Sequence, residues 1–213
     1  MVEKPVDLEL HTFRSPTLAS VVDDAVGFVA RTPVHSLPPA KSFPGVGVYM
    51  LYYAGDYQLY DYIARFNESE AKRPIYVGKA VPPGWRTARA PSDEKTPALY
   101  GRLGQHARSI KEGAGLKTEH FQCRFMVLGG IETDLVTAIE AKLIRVHTPL
   151  WNTHVEGFGN HDPGKGRYNQ APSEWDVLHP GRVWAARLTG TPPLREEILA
   201  KIRRHRQQQL SLP

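Results

Sequence analysis

Two runs of the sequence decide the fold, GVGVYMLYY (Gly45–Tyr53) and PIYVGKA (Pro74–Ala80). Both are rich in β-branched and aromatic residues and lie next to Gly or Pro, which predicts two strands. Each contains a tyrosine and a glycine separated by valine, as GVY at residues 47–49 and YVG at residues 76–78. Glycine weakens a strand unless another group must approach closely. The tyrosines are therefore either half-buried sheet residues whose hydroxyls reach water, or parts of a site.

Composition places the chain among ordinary globular proteins. Its 213 residues are enough for one domain with a sizeable core, and no apolar run approaches the length of a membrane span. We expect no membrane association. The single cysteine, Cys123, cannot form an internal disulfide, which fits a reducing cytoplasm. A net charge of +5 favours a polyanionic partner.

Residues 1–44 are predicted to form an N-terminal arm and a helix. Apolar residues alternate with polar ones from Val6 to Leu10, which favours a short strand or an extended arm. Ser15 and Pro16 then have the residue types of a helix N-cap and first turn.

The segment between the two tyrosine strands predicts an inserted helix, because Leu59, Tyr62 and Phe66 repeat at helical spacing. A long irregular stretch follows the second strand, from Val81 to Pro97. Such loops are usually functional or disordered. Its indole and cations favour nucleic-acid contact, and a merely solvated loop is the alternative; the candidate residues are Trp85, Arg86, Arg89 and Lys95.

An amphipathic helix is predicted around Leu99 to Ile110. Arg102 and His106 are four residues apart and are therefore neighbours on one face, either as surface cations or as site residues. The helix also contains two glycines, at positions 101 and 104, which suggests that something large presses against that surface.

A third strand, from Phe121 to Val127, is predicted from alternation, and a helix with apolar residues from Leu135 to Val146 follows it. Glu140 lies at the margin of the apolar face. A carboxylate there is costly unless it is paired or bound to metal. A salt bridge to Arg102 or Lys142 is the alternative to a metal.

The segment from His154 to Gly181 is dense in Gly, Pro, Asn and His, and it carries side chains that read base edges and phosphates. Val183–Ala186 is predicted as a final strand, followed by a C-terminal helix. The candidate DNA-contacting residues in this part of the chain are Asn160, His161, Lys165, Arg167, Asn169, Gln170 and Arg182.

The order of these elements resembles the GIY-YIG nuclease family. GVY and YVG correspond to its two triplets, and the resemblance continues through Arg102, His106, Glu140 and Asn152, over roughly residues 45 to 153. Both triplets have Val where the family name has Ile, and the inserted helix lengthens the spacing between them. The added terminal segments make the chain similar to the type II restriction endonucleases of this family, in particular those that cut CCGCGG (isoschizomers of SacII).

The resemblance implies an α+β fold with a small mixed or antiparallel three-stranded sheet flanked by helices. The core occupies residues 45–153. Residues 1–44 and 154–213 are embellishments packed on it, so that one structural domain is expected overall.

The resemblance also implies a chemistry. Glu140 holds a single Mg²⁺, with Mn²⁺ able to substitute, and Arg102 neutralises charge at phosphorus. Tyr49 acts as general base, with a pKa lowered by Lys79, Arg102, His106 or the metal; alternatively His106 takes the proton onward. In addition, Tyr76 orients water or phosphate, and Asn152 holds Glu140 or a phosphate. A rival chemistry makes Tyr49 a covalent nucleophile.

The partners implied are double-stranded DNA and a second copy of the chain, since a two-fold dimer matches a palindromic site. A cognate DNA methyltransferase would share the target without binding the nuclease, in a bacterial cytoplasm. Two other hypotheses remain open, a nicking or repair nuclease on the same core and a non-catalytic DNA-binding protein on a nuclease core.

Overall fold

The sheet confirms the predicted α+β architecture. In a computed structural model, which describes residues 6–82, 84 and 95–211, the strands pair antiparallel in the order β1-β4-β2-β3. The three long strands are the predicted ones, with the first tyrosine strand in the middle. A two-residue strand is added at one edge. The strands are β1 (His35–Ser36), β2 (Val46–Tyr53), β3 (Pro74–Ala80) and β4 (Phe121–Leu128).

The helices surround this sheet, and local signals set their ends. The first begins at Ser15, whose hydroxyl accepts a hydrogen bond from the Leu18 amide, with Pro16 in its first turn. The fourth ends at Thr148, which adopts a left-handed conformation (φ 41°). The helices are α1 (Pro16–Arg31), α2 (Asp61–Asn67), α3 (Ala98–Glu112), α4 (Val136–His147), α5 (Leu150–Thr153), α6 (Glu174–Leu178) and α7 (Arg195–Leu210).

Strand β2 is buried along its whole length, because its alternating side chains serve two separate cores. On one face Met50 packs with Val77 of β3, with Leu143 of α4 and with residues of α1. On the other face Tyr49 and Leu51 join a larger core that includes residues of α2, α3 and α5 to α7. The central strand therefore presents Tyr49 to the side on which α3 lies.

Three local expectations differ from the structure. Leu8–His11 forms a 3₁₀ turn rather than a strand or extended arm, because the Asp7 side chain accepts from the Glu9 amide. Residues 183–186 are not a strand: the amides of Ala185 and Ala186 donate to the Arg182 carbonyl, which bends the chain into a 3₁₀ turn. The third concerns the close neighbour that was expected against the two glycines of α3. No atom of the described residues lies within 4 Å of a Cβ added at either glycine.

Within the described ranges, no helix combines the length and the apolar character needed to cross a membrane.

Candidate active site

The glycines of the two triplets are explained by close approaches within the sheet. Tyr49 lies opposite Gly78 in the β2–β3 register, and a Cβ added at Gly78 would overlap the Tyr49 hydroxyl oxygen. A Cβ added at Gly47 would overlap the carbonyl oxygen of Met126 on β4. Gly47 lets β2 approach β4 closely, and Gly78 leaves room for the Tyr49 phenol.

A cleft of about 390 Å³ lies beside α3, and the buried Tyr49 phenol is not part of its wall. Arg102 and His106 of α3 line it together with the loop that follows α5. Arg108 and Arg187 add positive charge to its walls, whereas Glu112 and Asp162 add negative charge. A cleft of this composition can accommodate a phosphodiester group.

Tyr49 and His106 form a direct hydrogen bond, and His106 is the member of the pair that lines the cleft. The Tyr49 hydroxyl lies 2.6 Å from Nε2 of His106, and both residues are buried. Burial raises the pKa of Tyr49 well above 10, and the neighbouring Tyr76 adds to this effect, whereas Arg102 opposes it. The expected lowering of the Tyr49 pKa is therefore wrong, because desolvation outweighs the nearby cation. Tyr49 is a neutral phenol at neutral pH.

His106 is correspondingly a neutral imidazole. Burial lowers its pKa well below 6.5, and the positive charges of Arg102, His161 and Arg182 act in the same direction. The Phe158 ring stacks on it, with centroids 4.6 Å apart and an interplanar angle of 18°. A neutral imidazole in contact with a phenol can accept the phenolic proton.

The second ring nitrogen of His106, Nδ1, forms no hydrogen bond with any residue that the structure describes. It is also not among the fully buried side-chain nitrogens without a partner, which lie at Arg124, Trp151 and Trp175. His106 itself lines the cleft.

Arg102 is held at the mouth of the same cleft. One terminal nitrogen donates to the Gly159 carbonyl at 2.8 Å, and the other contacts His161 at 2.6 Å and Gln105 at 2.9 Å. The guanidinium is close enough to lower the pKa values of both Tyr49 and Tyr76 against the effect of burial. Arg102, His106 and the two tyrosines thus form one cluster.

Glu140 of α4 pairs with a partner that was not expected. Its carboxylate lies 2.7 Å from Nζ of Lys79, which also donates to the Thr137 hydroxyl at 3.2 Å. The alternatives with Arg102 or Lys142 are wrong, since Lys142 instead pairs with Asp23 at 2.7 Å. Lys79 follows Gly78 on the edge strand, which brings its ammonium to α4.

The donor set around Glu140 limits the kind of metal site. No group of three or more His, Cys, Asp or Glu side chains that could hold a metal is found among the described residues. The Glu140 side chain is 19% exposed. A single carboxylate open to water fits Mg²⁺, which keeps much of its hydration, and does not fit a multi-carboxylate cage.

Asn152 supports the edge strand. Its side-chain oxygen accepts from the Val77 amide at 2.7 Å, and its side-chain nitrogen donates to the Val77 carbonyl at 2.8 Å. The expected contact with Glu140 is absent because both ends of this amide are occupied by the backbone of β3. Asn152 therefore fixes the segment between Tyr76 and Gly78.

The expected DNA-contacting residues divide into three groups. Trp85, Arg86 and Arg89 lie outside the described residues. Arg182 is wrong as a base reader, since it is 1% exposed and binds Asp176 through two hydrogen bonds of 2.7 Å. The remaining candidates have exposed side chains and are Lys95, Asn160, His161, Lys165, Arg167, Asn169 and Gln170.

Two residues at or near the site were not indicated by any pattern of apolar residues in the sequence. Phe158 lies in the sequence GFGN and packs on both His106 and Tyr76, with ring centroids 4.6 and 4.9 Å away. Asp176 binds the buried Arg182. A single aromatic in a Gly-rich loop was the one available hint for Phe158.

Comparison with known proteins agrees with this geometry. The model of the family described as the Eco29kI GIY-YIG domain, a restriction endonuclease family, matches residues 41–206. A search of curated proteins found no match. The matched region includes all the residues of the cluster and most of the chain. The chain therefore belongs to the Eco29kI GIY-YIG family of endonucleases, whose wider group is generally metal-dependent.

Proposed function

We propose that this protein is a type II restriction endonuclease that hydrolyses double-stranded DNA at a palindromic, GC-rich site, with the Tyr49–His106 pair as its base. The observation that carries the proposal is the 2.6 Å hydrogen bond between Tyr49 and His106, of which His106 lines a cleft that also contains three arginines. The pair supplies a proton acceptor next to a cleft in which a phosphodiester can bind.

The attacking water loses its proton to the pair. As the water oxygen bonds to phosphorus, its proton passes to the Tyr49 oxygen while the Tyr49 hydroxyl proton passes to Nε2 of His106. The raised pKa of Tyr49 and the lowered pKa of His106 support this concerted transfer, because neither a free phenolate nor an imidazolium is the ground state. The imidazolium then loses one proton to solvent, and the pair returns to the state in which Nε2 of His106 accepts from the Tyr49 hydroxyl.

The bond to the 3′ oxygen breaks as the new bond forms, and the leaving oxygen takes a proton from solvent. Arg102 neutralises the charge that develops on the phosphoryl oxygens, which a planar cation with several donors does well. Tyr76 borders both Arg102 and His106 and orients the phosphate or the water. The rival chemistry is attack on phosphorus by Tyr49 itself, which would leave the DNA joined to the protein through a phosphotyrosine bond.

Glu140 is the residue that would hold Mg²⁺, or Mn²⁺ in its place. The bound ion would supply Lewis-acid stabilisation of the phosphate and of the leaving oxygen. Lys79 holds the Glu140 carboxylate in place through their 2.7 Å contact. Asn152 positions the strand that carries Tyr76 and Lys79.

The biological setting follows from this proposal. A two-fold homodimer would place one such cleft on each strand of a palindrome. The site CCGCGG is the target that the resemblance suggests, and a methyltransferase of the bacterial cytoplasm would protect it. Two of the exposed candidates, Asn160 and His161, line the cleft, and Arg167 and Gln170 line a neighbouring pocket. We propose these four residues, with Lys165 and Asn169, as DNA contacts.

The test is digestion of plasmids of known sequence with Mg²⁺, with and without CCGCGG, by the wild type and by Glu140→Gln. Discrete fragments that need Mg²⁺ and vanish in the variant are expected. Glu132→Gln serves as a matched control, because Glu132 is an exposed carboxylate that does not line the cleft.

Two results would contradict the proposal. Random nicks instead of discrete fragments would favour the nicking or repair nuclease. Binding without cutting, under varied metals and targets, would favour the non-catalytic DNA-binding protein. Discrete fragments from plasmids that lack CCGCGG would overturn only the target sequence.

A further inference from the structure

The buried pair of Arg182 and Asp176 lies C-terminal to the residues of the cluster, and it makes more contacts than an isolated ion pair. Nε and Nη2 of Arg182 each donate to one Asp176 oxygen at 2.7 Å. The guanidinium also lies between the rings of Trp175 and Trp184, 4.7 and 4.5 Å from their centroids. Both charges are buried and their geometry is fixed on all sides.

The same guanidinium binds a short loop, residues 157–160. Arg182 donates to the carbonyls of Gly157 at 3.0 Å, Phe158 at 3.2 Å and Asn160 at 3.4 Å. The remaining carbonyl, that of Gly159, accepts from Arg102 at 2.8 Å. Two arginines, one buried and one in the cleft, thus bind four successive carbonyls of the loop.

This loop contacts two residues of the proposed chemistry. The Phe158 ring covers the face of His106, and the Gly159 carbonyl fixes one arm of the Arg102 guanidinium. A displacement of the loop would therefore expose His106 to water and release Arg102 together. Misplacement of catalytic groups by about 1 Å is enough to cost about 10²-fold in rate.

We propose that the Arg182–Asp176 pair is a positioning device, which holds His106 and Arg102 in place for phosphodiester hydrolysis through loop 157–160. Neither residue touches the reacting atoms. This inference rests on the proposed function for its catalytic part only, since the placement of His106 is measurable without any cleavage.

The test uses Arg182→Lys, which retains the positive charge but cannot bind Asp176 and three carbonyls at once. The full chain is labelled with ¹³C at Cε1 of histidine, and the His106 signal is assigned by its loss in His106→Gln. We expect the variant to move the His106 titration midpoint upward, toward 6.5, because Phe158 no longer shields the ring. The other groups that face His106 keep their identity in this variant, namely Tyr49, Tyr76, Arg102 and His161, and the positive charge at position 182, which also lowers the His106 pKa, is retained.

The rate per folded molecule should fall about 10²-fold in Arg182→Lys, with KM for DNA changed less than about threefold. Asp176→Asn keeps Arg182 and a side chain of the same shape at position 176. It should change the His106 titration midpoint and the cleavage rate in the same directions as Arg182→Lys, by smaller amounts. The control is Asn67→Ala, which removes four buried or partly buried hydrogen bonds at the other end of β3 and touches no residue of the cleft. It should lower stability and leave the His106 midpoint unchanged.

An unchanged His106 midpoint and an unchanged rate in folded Arg182→Lys and Asp176→Asn would overturn the inference. So would the loss of folding in both variants, which would assign the pair to stability alone. If the wild-type protein cuts no DNA, the proposed function fails, whereas the midpoints still decide whether the pair positions His106.

Discussion

The chain contains one tyrosine–histidine hydrogen bond next to the cleft and another in the closed core. The two bonds have the same length, but the second ring nitrogen of each histidine has different surroundings. Tyr49 contacts His106 at 2.6 Å beside the cleft, and Tyr60 contacts His179 at 2.6 Å deep in the core. In the core pair, Nδ1 of His179 also contacts the Ala114 carbonyl at 2.9 Å. Since a carbonyl only accepts, Nδ1 carries the proton and Nε2 is fixed as the acceptor from Tyr60.

A third pair repeats the closed arrangement. Tyr62 contacts Nδ1 of His205 at 2.6 Å, and Nε2 of His205 contacts the Thr148 carbonyl at 2.8 Å. Both core imidazoles are therefore locked in one tautomer. Of the three imidazoles, only His106 lines the cleft, and its second nitrogen has no hydrogen bond to a described residue, so that it is not locked in one tautomer. The nitrogen without a partner, rather than the tyrosine–histidine contact itself, distinguishes the proposed catalytic pair from the two pairs that only pack in the core.

The largest expected difference between the catalytic pair and the core pair follows from removing the phenolic oxygen of each. Tyr49→Phe should lower the single-turnover cleavage rate about 10³-fold, because the water then has no proton acceptor. Tyr60→Phe should lower the free energy of unfolding by about 1–2 kcal/mol and leave the rate per folded molecule within about twofold. Quenched-flow cleavage and chemical denaturation measure the two effects. Equal rate losses in the two variants would remove the distinction between the pairs.

A smaller effect is expected from crowding the open pair. Gly78→Ala would place a methyl group against the Tyr49 hydroxyl and should lower the rate about 10²-fold. Gly104→Ala on α3 meets nothing within 4 Å and should stabilise the protein by up to about 1 kcal/mol without loss of rate. Comparison of melting temperatures and cleavage rates tests this, and a fully active Gly78→Ala would show that the phenol need not occupy its observed place.

The third expected effect concerns the closed pairs and the pH dependence of the free energy of unfolding, and it leaves the cleavage rate aside. Burial lowers the pKa values of His179 and His205 to about 4. Between about pH 6.5 and pH 4 the unfolded chain binds protons that the folded protein does not, so stability falls as pH falls. Each residue contributes a slope of about 1.4 kcal/mol per pH unit in this window.

Denaturation at several pH values measures that slope. His179→Gln should reduce the slope by about 1.4 kcal/mol per pH unit, which is the contribution of one proton. Asn67→Ala should lower the free energy of unfolding at every pH and keep the wild-type slope. An unchanged slope in His179→Gln would show that this histidine protonates without unfolding.

The residues differ in how far sequence could locate them. The strand pair and the order of Arg102, His106 and Glu140 follow from local periodicity and short motifs, which is why the fold and the cluster were predictable. The partner of Glu140 was not, because Lys79 reaches it only through the packing of an edge strand on α4. The pKa of Tyr49 was misjudged for a related reason, since burial is a property of the assembled core.

Arg182 shows the limit more sharply. Its residue type and its Gly-rich surroundings are typical of a phosphate contact, yet it is enclosed by two tryptophans and an aspartate. Nothing in local sequence distinguishes an exposed arginine from one paired across a loop, because the pairing depends on contacts between separate segments.

The pH dependence of the single-turnover cleavage rate tests the central claim most directly. If the Tyr49–His106 pair is the base, the rate should be level from about pH 6.5 to about pH 9, because both groups stay neutral across that range. His106→Gln should lower this plateau. A rate that rises about tenfold per pH unit toward the titration of a phenol would show that free phenolate is the base, and would contradict the account.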